Sequence, residues 1–151
     1  MVPGGTALKL LMTPARRPAS PGTWVRVTTL PALPENRSAK RFPVIAARFN
    51  AWNRIPAAPL GLIFLRRAES DGVEAFNAAC PHAGCLVDFE PEQEAFRCPC
   101  HESWFEANGD IKDAASPSPR SLDRLETELR GDEVWVRFQN YRAGIRERVP
   151  V

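Results

Sequence analysis

The sequence has no apolar run of the roughly 18 residues that a membrane-spanning helix needs. We therefore expect the chain itself to be soluble. Excess charge of one sign is also missing, because a formal net charge of +2 is too small to indicate nucleic-acid binding. The C-terminal end is locally basic, and we interpret it as a solvated tail carrying Arg137, Arg142, Arg146 and Arg148.

Cysteine and histidine are scarce, with four and two residues in a chain of 151, and all six lie between positions 80 and 101. Cys80-x-His82 and Cys98-x-x-His101 each place a thiol close to an imidazole, while Cys85 and Cys100 are left over. Thiolates and imidazoles are common metal ligands in proteins. Their concentration in one stretch predicts a metal site.

Three interpretations of this stretch compete. A zinc site would use the same two cysteines and two histidines, but zinc ligands usually come as Cys-Cys and His-His pairs, and here each pair is mixed. A plain disulfide framework has three possible connectivities for four cysteines, and none of them explains the histidines. A 2Fe-2S centre with one iron held by cysteine and the other by histidine uses the mixed set. We favour this centre.

Proline is abundant, with 15 residues, and argues against long helices because it has no amide donor. Alternating apolar and polar residues, bounded by Pro, Gly or Asp-Gly, predict strands instead. The predicted strands begin at Trp24 and continue at 42–49, 60–65, 73–78 and 95–98, and a last hairpin joins 125–129 to 134–138. Residues 122–129 also have the spacing of an amphipathic helix, but we prefer a strand because the partner segment alternates regularly.

These patterns predict an all-β fold, an antiparallel β-sandwich base. Residues 79 to about 122 are expected to be inserted in it as a small cluster-binding lobe with two metal-binding loops. Residues 1–22 are rich in proline and glycine and predict an extended, semi-rigid tether. Residues 23–151 are expected to form a single domain, since this is a common size for one hydrophobic core.

The motifs Cys80-x-His82-x-x-Cys85 and Cys98-x-Cys100-His101-x-Ser103 resemble those of the Rieske iron-sulfur proteins of the cytochrome bc family, the quinol-oxidising respiratory and photosynthetic complexes. The resemblance continues through Asn108-Gly109, the proline loop of residues 116–119 and the last hairpin. It therefore covers roughly residues 24 to 138.

This resemblance implies one 2Fe-2S cluster of the Rieske type. Four residues would bind the irons: Cys80 and Cys98 the buried iron, His82 and His101 the outer iron.

The same resemblance implies a surrounding structure that supports the cluster. Cys85 and Cys100 would form a disulfide that ties the two loops together, and the proline loop would cover the cluster from a third side. Ser103 occupies the position whose hydroxyl bonds a bridging sulfide in the family. A disulfide favours an oxidising compartment, because cytosolic thiols are normally kept reduced.

The resemblance also implies a function. The chain would be an electron-transfer subunit of a quinol:cytochrome c oxidoreductase rather than an independent enzyme. Its partners would be a quinol, a cytochrome b-type membrane subunit and a cytochrome c-type acceptor. We expect it on the extracytoplasmic (periplasmic) face of the membrane, attached through its partner or through a missing N-terminal helix.

The histidine ligands give a physical reason for quinol as the donor. Neutral imidazole gives less charge to iron than thiolate does, so the cluster accepts an electron more readily. The added electron should raise the proton affinity of the imidazole nitrogen that does not bind iron. We assign quinol contact and proton acceptance to His101 first, with His82 close behind.

Three residues depart from the family pattern. Phe105 stands where many quinol oxidisers have a tyrosine that donates a hydrogen bond to a cysteine sulfur. Glu102 replaces the usual glycine, and its negative charge would disfavour the added electron. Both changes predict a lower potential, suited to a low-potential quinol such as menaquinol. Ala83 is smaller than the leucine often found there.

Two alternatives stay open. One is the small Rieske subunit of an arsenite-oxidase-like molybdenum enzyme, which shares the disulfide and often carries phenylalanine at the position of Phe105. The other is a Rieske ferredoxin that serves an oxygenase, which Cys85 and Cys100 disfavour because such ferredoxins lack the bridging pair.

Overall fold

The computed structural model describes residues 22–49 and 54–151. Apart from Gly22, the predicted tether at residues 1–22 lies outside the described residues. Within them the fold is all-β, as predicted, and its nine strands form two antiparallel sheets. In the described part of the chain, no helix has both the length and the apolar character to cross a membrane.

The larger sheet forms the base. Its strands follow the order β1-β9-β8-β4-β3-β2. Their bounds are β1 Thr23–Thr29, β2 Lys40–Phe49, β3 Arg54–Arg67, β4 Val73–Asn77, β8 Arg124–Arg130 and β9 Glu133–Phe138. The segment that also had helical spacing is β8, which pairs with β9, so the strand interpretation is confirmed.

The smaller sheet lies in the chain between β4 and β8. It consists of β5 Asp88–Glu90, β6 Ala95–Cys98 and β7 Ser103–Glu106, in the order β5-β6-β7. The sequence patterns predicted β6 but missed its two neighbours. β5 has only three residues, too few to show alternation, and β7 begins immediately after the second ligand motif.

Two apolar clusters fill the fold. One lies in the base and includes Val25, Val44, Ile63, Val134 and Val136. The other joins the base to the lobe, and its buried members include four phenylalanines together with Cys80 and Cys98. Both cysteines are therefore embedded in apolar surroundings.

The last residues, 139–151, form a segment that we call the C-terminal strap. Tyr141 pairs with Pro150 across it, and the Gly144 amide donates to the Pro81 carbonyl in the first ligand loop at 2.8 Å. Arg148 forms an ion pair with the buried Asp123 at 3.2 Å.

The interpretation of the C-terminal end as a solvated tail is therefore wrong for this backbone, while Arg148 is exposed as expected but paired. Arg137 also differs, since it lies in β9 and pairs with Glu126 at 3.1 Å. Arg142 and Arg146 are exposed, as expected.

Candidate metal centre

The first ligand loop connects β4 to β5 and closes on itself. The Cys80 amide donates to the Cys85 carbonyl at 2.7 Å, and the Gly84 amide donates to the Cys80 carbonyl at 2.8 Å. Gly84 has a φ of 78°, which glycine adopts without steric cost. This tight turn holds Cys80 and Cys85 at its base and leaves His82 between them.

The second ligand loop is the turn between β6 and β7. Cys98 and Ser103 face each other as the last pair of this hairpin, so Pro99, Cys100, His101 and Glu102 form the connection. Glu102 has a φ of 55°, a left-handed conformation that residues other than glycine rarely adopt. The hairpin therefore fixes Cys98 at the end of a strand and places His101 in the turn.

The two loops bring the predicted ligands together in two pairs, with Cys80 beside Cys98 and His82 beside His101. The rings of His82 and His101 have centroids 4.7 Å apart and meet nearly at right angles. Cys80 and Cys98 are each only 1% exposed, while His82 is half-buried and His101 is exposed. The site thus has thiols on its inner side and an imidazole at its surface.

A disulfide joins the loops. It links Cys85 to Cys100, whose Cα atoms are 6.6 Å apart, as the resemblance implied. The sulfur of Cys98 lies within 4.8 Å of both disulfide sulfurs. Because Cys85 and Cys100 are consumed in this bond, the cysteines and histidines left as candidate ligands are Cys80, Cys98, His82 and His101.

Burial has a clear effect on the Cys80 thiol. It raises the pKa of Cys80 to about 11, with a further rise from the neighbouring Cys98 and an opposing effect of the backbone amide of His82. The Ser103 hydroxyl also lowers this pKa, although its contact with the thiol does not have the geometry of a regular hydrogen bond. Without a metal, the thiol therefore keeps its proton, and metal binding has to displace it.

The residues fit a 2Fe-2S cluster. Buried polar atoms are normally hydrogen-bonded, yet His82 Nδ1 and Ser103 Oγ are buried without a hydrogen-bond partner among the described residues. An iron atom would satisfy the first, and a cluster sulfide would accept a hydrogen bond from the second. The donor set of two thiols and two imidazoles agrees with the Rieske type.

The proline loop, residues 116–119, is anchored by hydrogen bonds and a neighbouring ion pair. Ser118 is 5% exposed, and its hydroxyl donates to the Arg120 carbonyl at 2.8 Å. Arg120 forms a buried ion pair with Asp123 at 2.8 Å and donates to the Ile145 carbonyl in the C-terminal strap. That this loop covers the cluster stays a prediction.

Glu102 is not an isolated charge, although the sequence alone indicates no partner for it. Its carboxylate accepts two hydrogen bonds from Arg97, both at 2.9 Å, and these hold the pKa of Glu102 below its usual range. The negative charge of Glu102 is therefore paired with the positive charge of Arg97. Phe105 is 0% exposed and belongs to the same apolar cluster as Cys80 and Cys98.

Sequence reasoning missed two residues that support the loops. Arg97 lies directly before Cys98. Its proximity to Glu102 follows from the pairing of Arg97 with Trp104 in the β6–β7 hairpin, which the sequence patterns did not predict. Asn77 is 4% exposed, and its side chain accepts from the Ala79 amide at 2.9 Å and donates to the Gln139 carbonyl at 3.1 Å. No sequence pattern marks this link between the first loop and the strap.

Comparison with known proteins shows what this domain is similar to. A family model described as the Rieske [2Fe-2S] domain matches residues 23–130. The cytochrome b6-f complex iron-sulfur subunit of Synechococcus sp. (strain JA-3-3Ab) is 41% identical over 58 residues, which are 38% of this chain and 33% of that protein. The subunit of the same name in Prochlorococcus marinus (strain MIT 9215) is 35% identical over 71 residues, 46% of this chain and 39% of that protein. The match thus spans well under half of either relative.

Solved structures agree on the fold. The cyanobacterial plasma membrane Rieske protein PetC3 from Synechocystis PCC 6803 has a TM-score of 0.53 at 23% identity, over 76% of this chain and 99% of that chain. The naphthalene 1,2-dioxygenase F352V mutant has a TM-score of 0.52 at 13% identity, over 76% of this chain and 26% of that chain. Because a plasma membrane Rieske protein and a dioxygenase score alike, the fold does not distinguish between the functions.

Proposed function

Because the chain belongs to the Rieske [2Fe-2S] domain family, we propose that it is the iron-sulfur electron-transfer subunit of a cytochrome bc-type complex. It would take an electron from a quinol at a cytochrome b-type membrane subunit and pass the electron to a cytochrome c-type acceptor. The observation that carries this proposal is the Cys85–Cys100 disulfide between the two ligand loops. The curated relatives named as cytochrome b6-f subunits support it.

We assign the ligands by burial. Cys80 and Cys98, each 1% exposed, would hold the inner iron, and His82 and His101 the outer iron. When bound, the cluster supplies one-electron redox chemistry. The apolar cluster around the thiols excludes water from their side, so electron exchange is directed to the imidazole side.

His101 is proposed as the first contact for quinol, with His82 beside it. His101 is exposed, and its ring lies 4.7 Å from that of His82. The buried Nδ1 of His82 is the nitrogen assigned to iron, which leaves Nε2 as the nitrogen that can accept a proton. The imidazoles can thus receive the proton of a quinol at the place where its electron enters.

The disulfide also supports a location. Disulfides persist in oxidising compartments, so we place the domain on the extracytoplasmic side of the membrane. Residues 23–151 would form one domain, joined to its membrane partner by the tether predicted at residues 1–22.

An EPR-monitored redox titration tests the proposal. The dithionite-reduced protein should show a Rieske-type 2Fe-2S signal, and the midpoint potential should fall as pH rises, because electron uptake is proposed to be coupled to proton uptake at the imidazole side. Titration with a menaquinol and a ubiquinol analogue would then show which quinol reduces the protein. A protein that bound zinc and gave no iron-sulfur signal would contradict the proposal.

The Ser103 hydroxyl provides one test of the assigned cluster position. Ser103→Ala removes a buried donor that has no partner among the described residues, so the midpoint potential should fall by about 60 mV. This figure is the one-electron equivalent of about 1.4 kcal/mol, the size of a hydrogen bond that strengthens on reduction. Thr127→Val is the matched control, since the Thr127 hydroxyl donates to the Val73 carbonyl in the base sheet at 2.7 Å and its loss should leave the potential unchanged.

Phe105 provides a test in which the midpoint potential is expected to rise. Phe105→Tyr adds a hydroxyl to the apolar cluster that contains Cys80 and Cys98, and a hydrogen bond to a ligand sulfur should raise the midpoint potential by about 60 mV. Phe96→Tyr is the control, because Phe96 is equally buried but is packed against Phe64, Phe76 and Phe89. A redox titration without a rise in Phe105→Tyr would contradict the hydrogen-bond argument.

A further inference from the structure

An ion pair lies directly beside the second ligand loop. Glu102 follows His101, and its two carboxylate oxygens accept hydrogen bonds from Nε and Nη2 of Arg97, both at 2.9 Å. Arg97 precedes Cys98 on β6, and its guanidinium also lies over the Trp104 ring, 5.6 Å from the centroid. Both charges are therefore fixed on the hairpin that carries two of the proposed ligands.

The backbone at Glu102 has an unusual conformation for a charged residue. Its φ of 55° is one that glycine would adopt without steric cost, yet the chain has a charged residue there. The bidentate contact with Arg97 constrains the Glu102 side chain and so holds the turn next to His101. The hairpin thus places the carboxylate and the guanidinium next to each other, since Arg97 lies on β6 and Glu102 lies in the turn between β6 and β7.

Building on the proposed function, we propose that Arg97 is a positioning residue of the metal centre that holds Glu102 in a neutral pair beside His101. A carboxylate next to a ligand opposes the addition of an electron, and a guanidinium favours it. Held as a pair, the two charges largely cancel at the cluster. Removal of either partner should leave the charge of the other uncompensated, and that charge would then shift the midpoint potential.

Three variants of the cluster-loaded protein test this proposal: Arg97→Gln, Glu102→Gln and the double variant. The midpoint potential, measured by EPR-monitored titration at low ionic strength, should fall in Arg97→Gln and rise in Glu102→Gln. It should return close to the unaltered value in the double variant. Because the Arg97 and Glu102 side chains are 40% and 56% exposed, added salt should reduce both shifts.

A matched control lies elsewhere in the protein. Arg130 and Glu128 form a pair of similar exposure, 44% and 48%, near the end of β8 that is remote from the lobe. Glu128→Gln should leave the midpoint potential unchanged. An equally large shift in this variant would overturn the proposal, because it would show that the effect does not depend on proximity to His101.

A purely structural role predicts a different pattern. Both single variants would then lower the melting temperature and move the potential in the same direction, and salt would not change the shifts. That result would overturn the inference while leaving the proposed function in place. Absence of a 2Fe-2S signal from the unaltered protein would instead contradict the proposed function.

Discussion

Replacement of Cys98 by serine is expected to abolish cluster binding. Cys98 is 1% exposed and ends β6, so no other described thiol can take its place: Cys85 and Cys100 are joined in the disulfide and Cys80 is assigned to the same iron. Serine is a poor ligand for the iron of such clusters, which are held by thiolates. The iron content should fall from about two atoms per chain to near zero, with loss of the EPR signal.

The control for Cys98→Ser is the double variant Cys85→Ser/Cys100→Ser. It also removes sulfur from this region but retains all four proposed ligands. Iron should still be found in freshly purified protein of this variant. Equal iron content in Cys98→Ser and the unaltered protein would rule out Cys98 as a ligand.

Loss of the disulfide is expected to have the second largest effect, on stability. The bond closes a loop with a sequence separation of 15 residues, and its removal should lower the free energy of unfolding of the cluster-free protein by about 3 kcal/mol. The loss should be smaller in the cluster-loaded protein, because the four ligands already tie the same two loops together. Urea unfolding of Cys85→Ser/Cys100→Ser, with and without the cluster, measures both values.

Reduction of the unaltered protein with dithiothreitol offers an independent check. Reduced protein and the double serine variant should unfold at the same urea concentration. If the cluster-free variant is as stable as the oxidised protein, the disulfide does not stabilise the loops, and its role would have to be sought in the environment of Cys98, whose sulfur lies within 4.8 Å of both disulfide sulfurs.

The four candidate ligands could be selected from the sequence because the relevant information is local, and their binding of iron stays a prediction. Cys80 and His82 share one tight turn, and Cys98 and His101 share another, so spacing alone groups them. Most base strands were also predictable, since their apolar residues alternate along each strand. β8 illustrates the limit of such patterns: its spacing suited a helix as well, and the regular alternation of its partner β9 decided the question.

Other features depend on contacts between distant residues and leave no periodic pattern. The strap illustrates this, because its basic residues are typical of a solvated tail, yet Arg148 pairs with the buried Asp123. Glu102 is a similar case: its charge is visible in the sequence, but its pairing with Arg97 requires the register of the β6–β7 hairpin. β5 was too short to be predicted, because three residues do not establish a period.

The strap also sets the order in which this site can be completed during synthesis. The first ligand loop depends on two partners from the strap: the Gly144 amide binds the Pro81 carbonyl, and Gln139 accepts from Asn77 beside the loop. Once the chain has been synthesised as far as His101, every proposed ligand is present. The residues that make these two contacts have not yet been added. Iron delivered at that stage would meet a loop that is only partly restrained, so we expect cluster insertion after residues 139–151 have been synthesised.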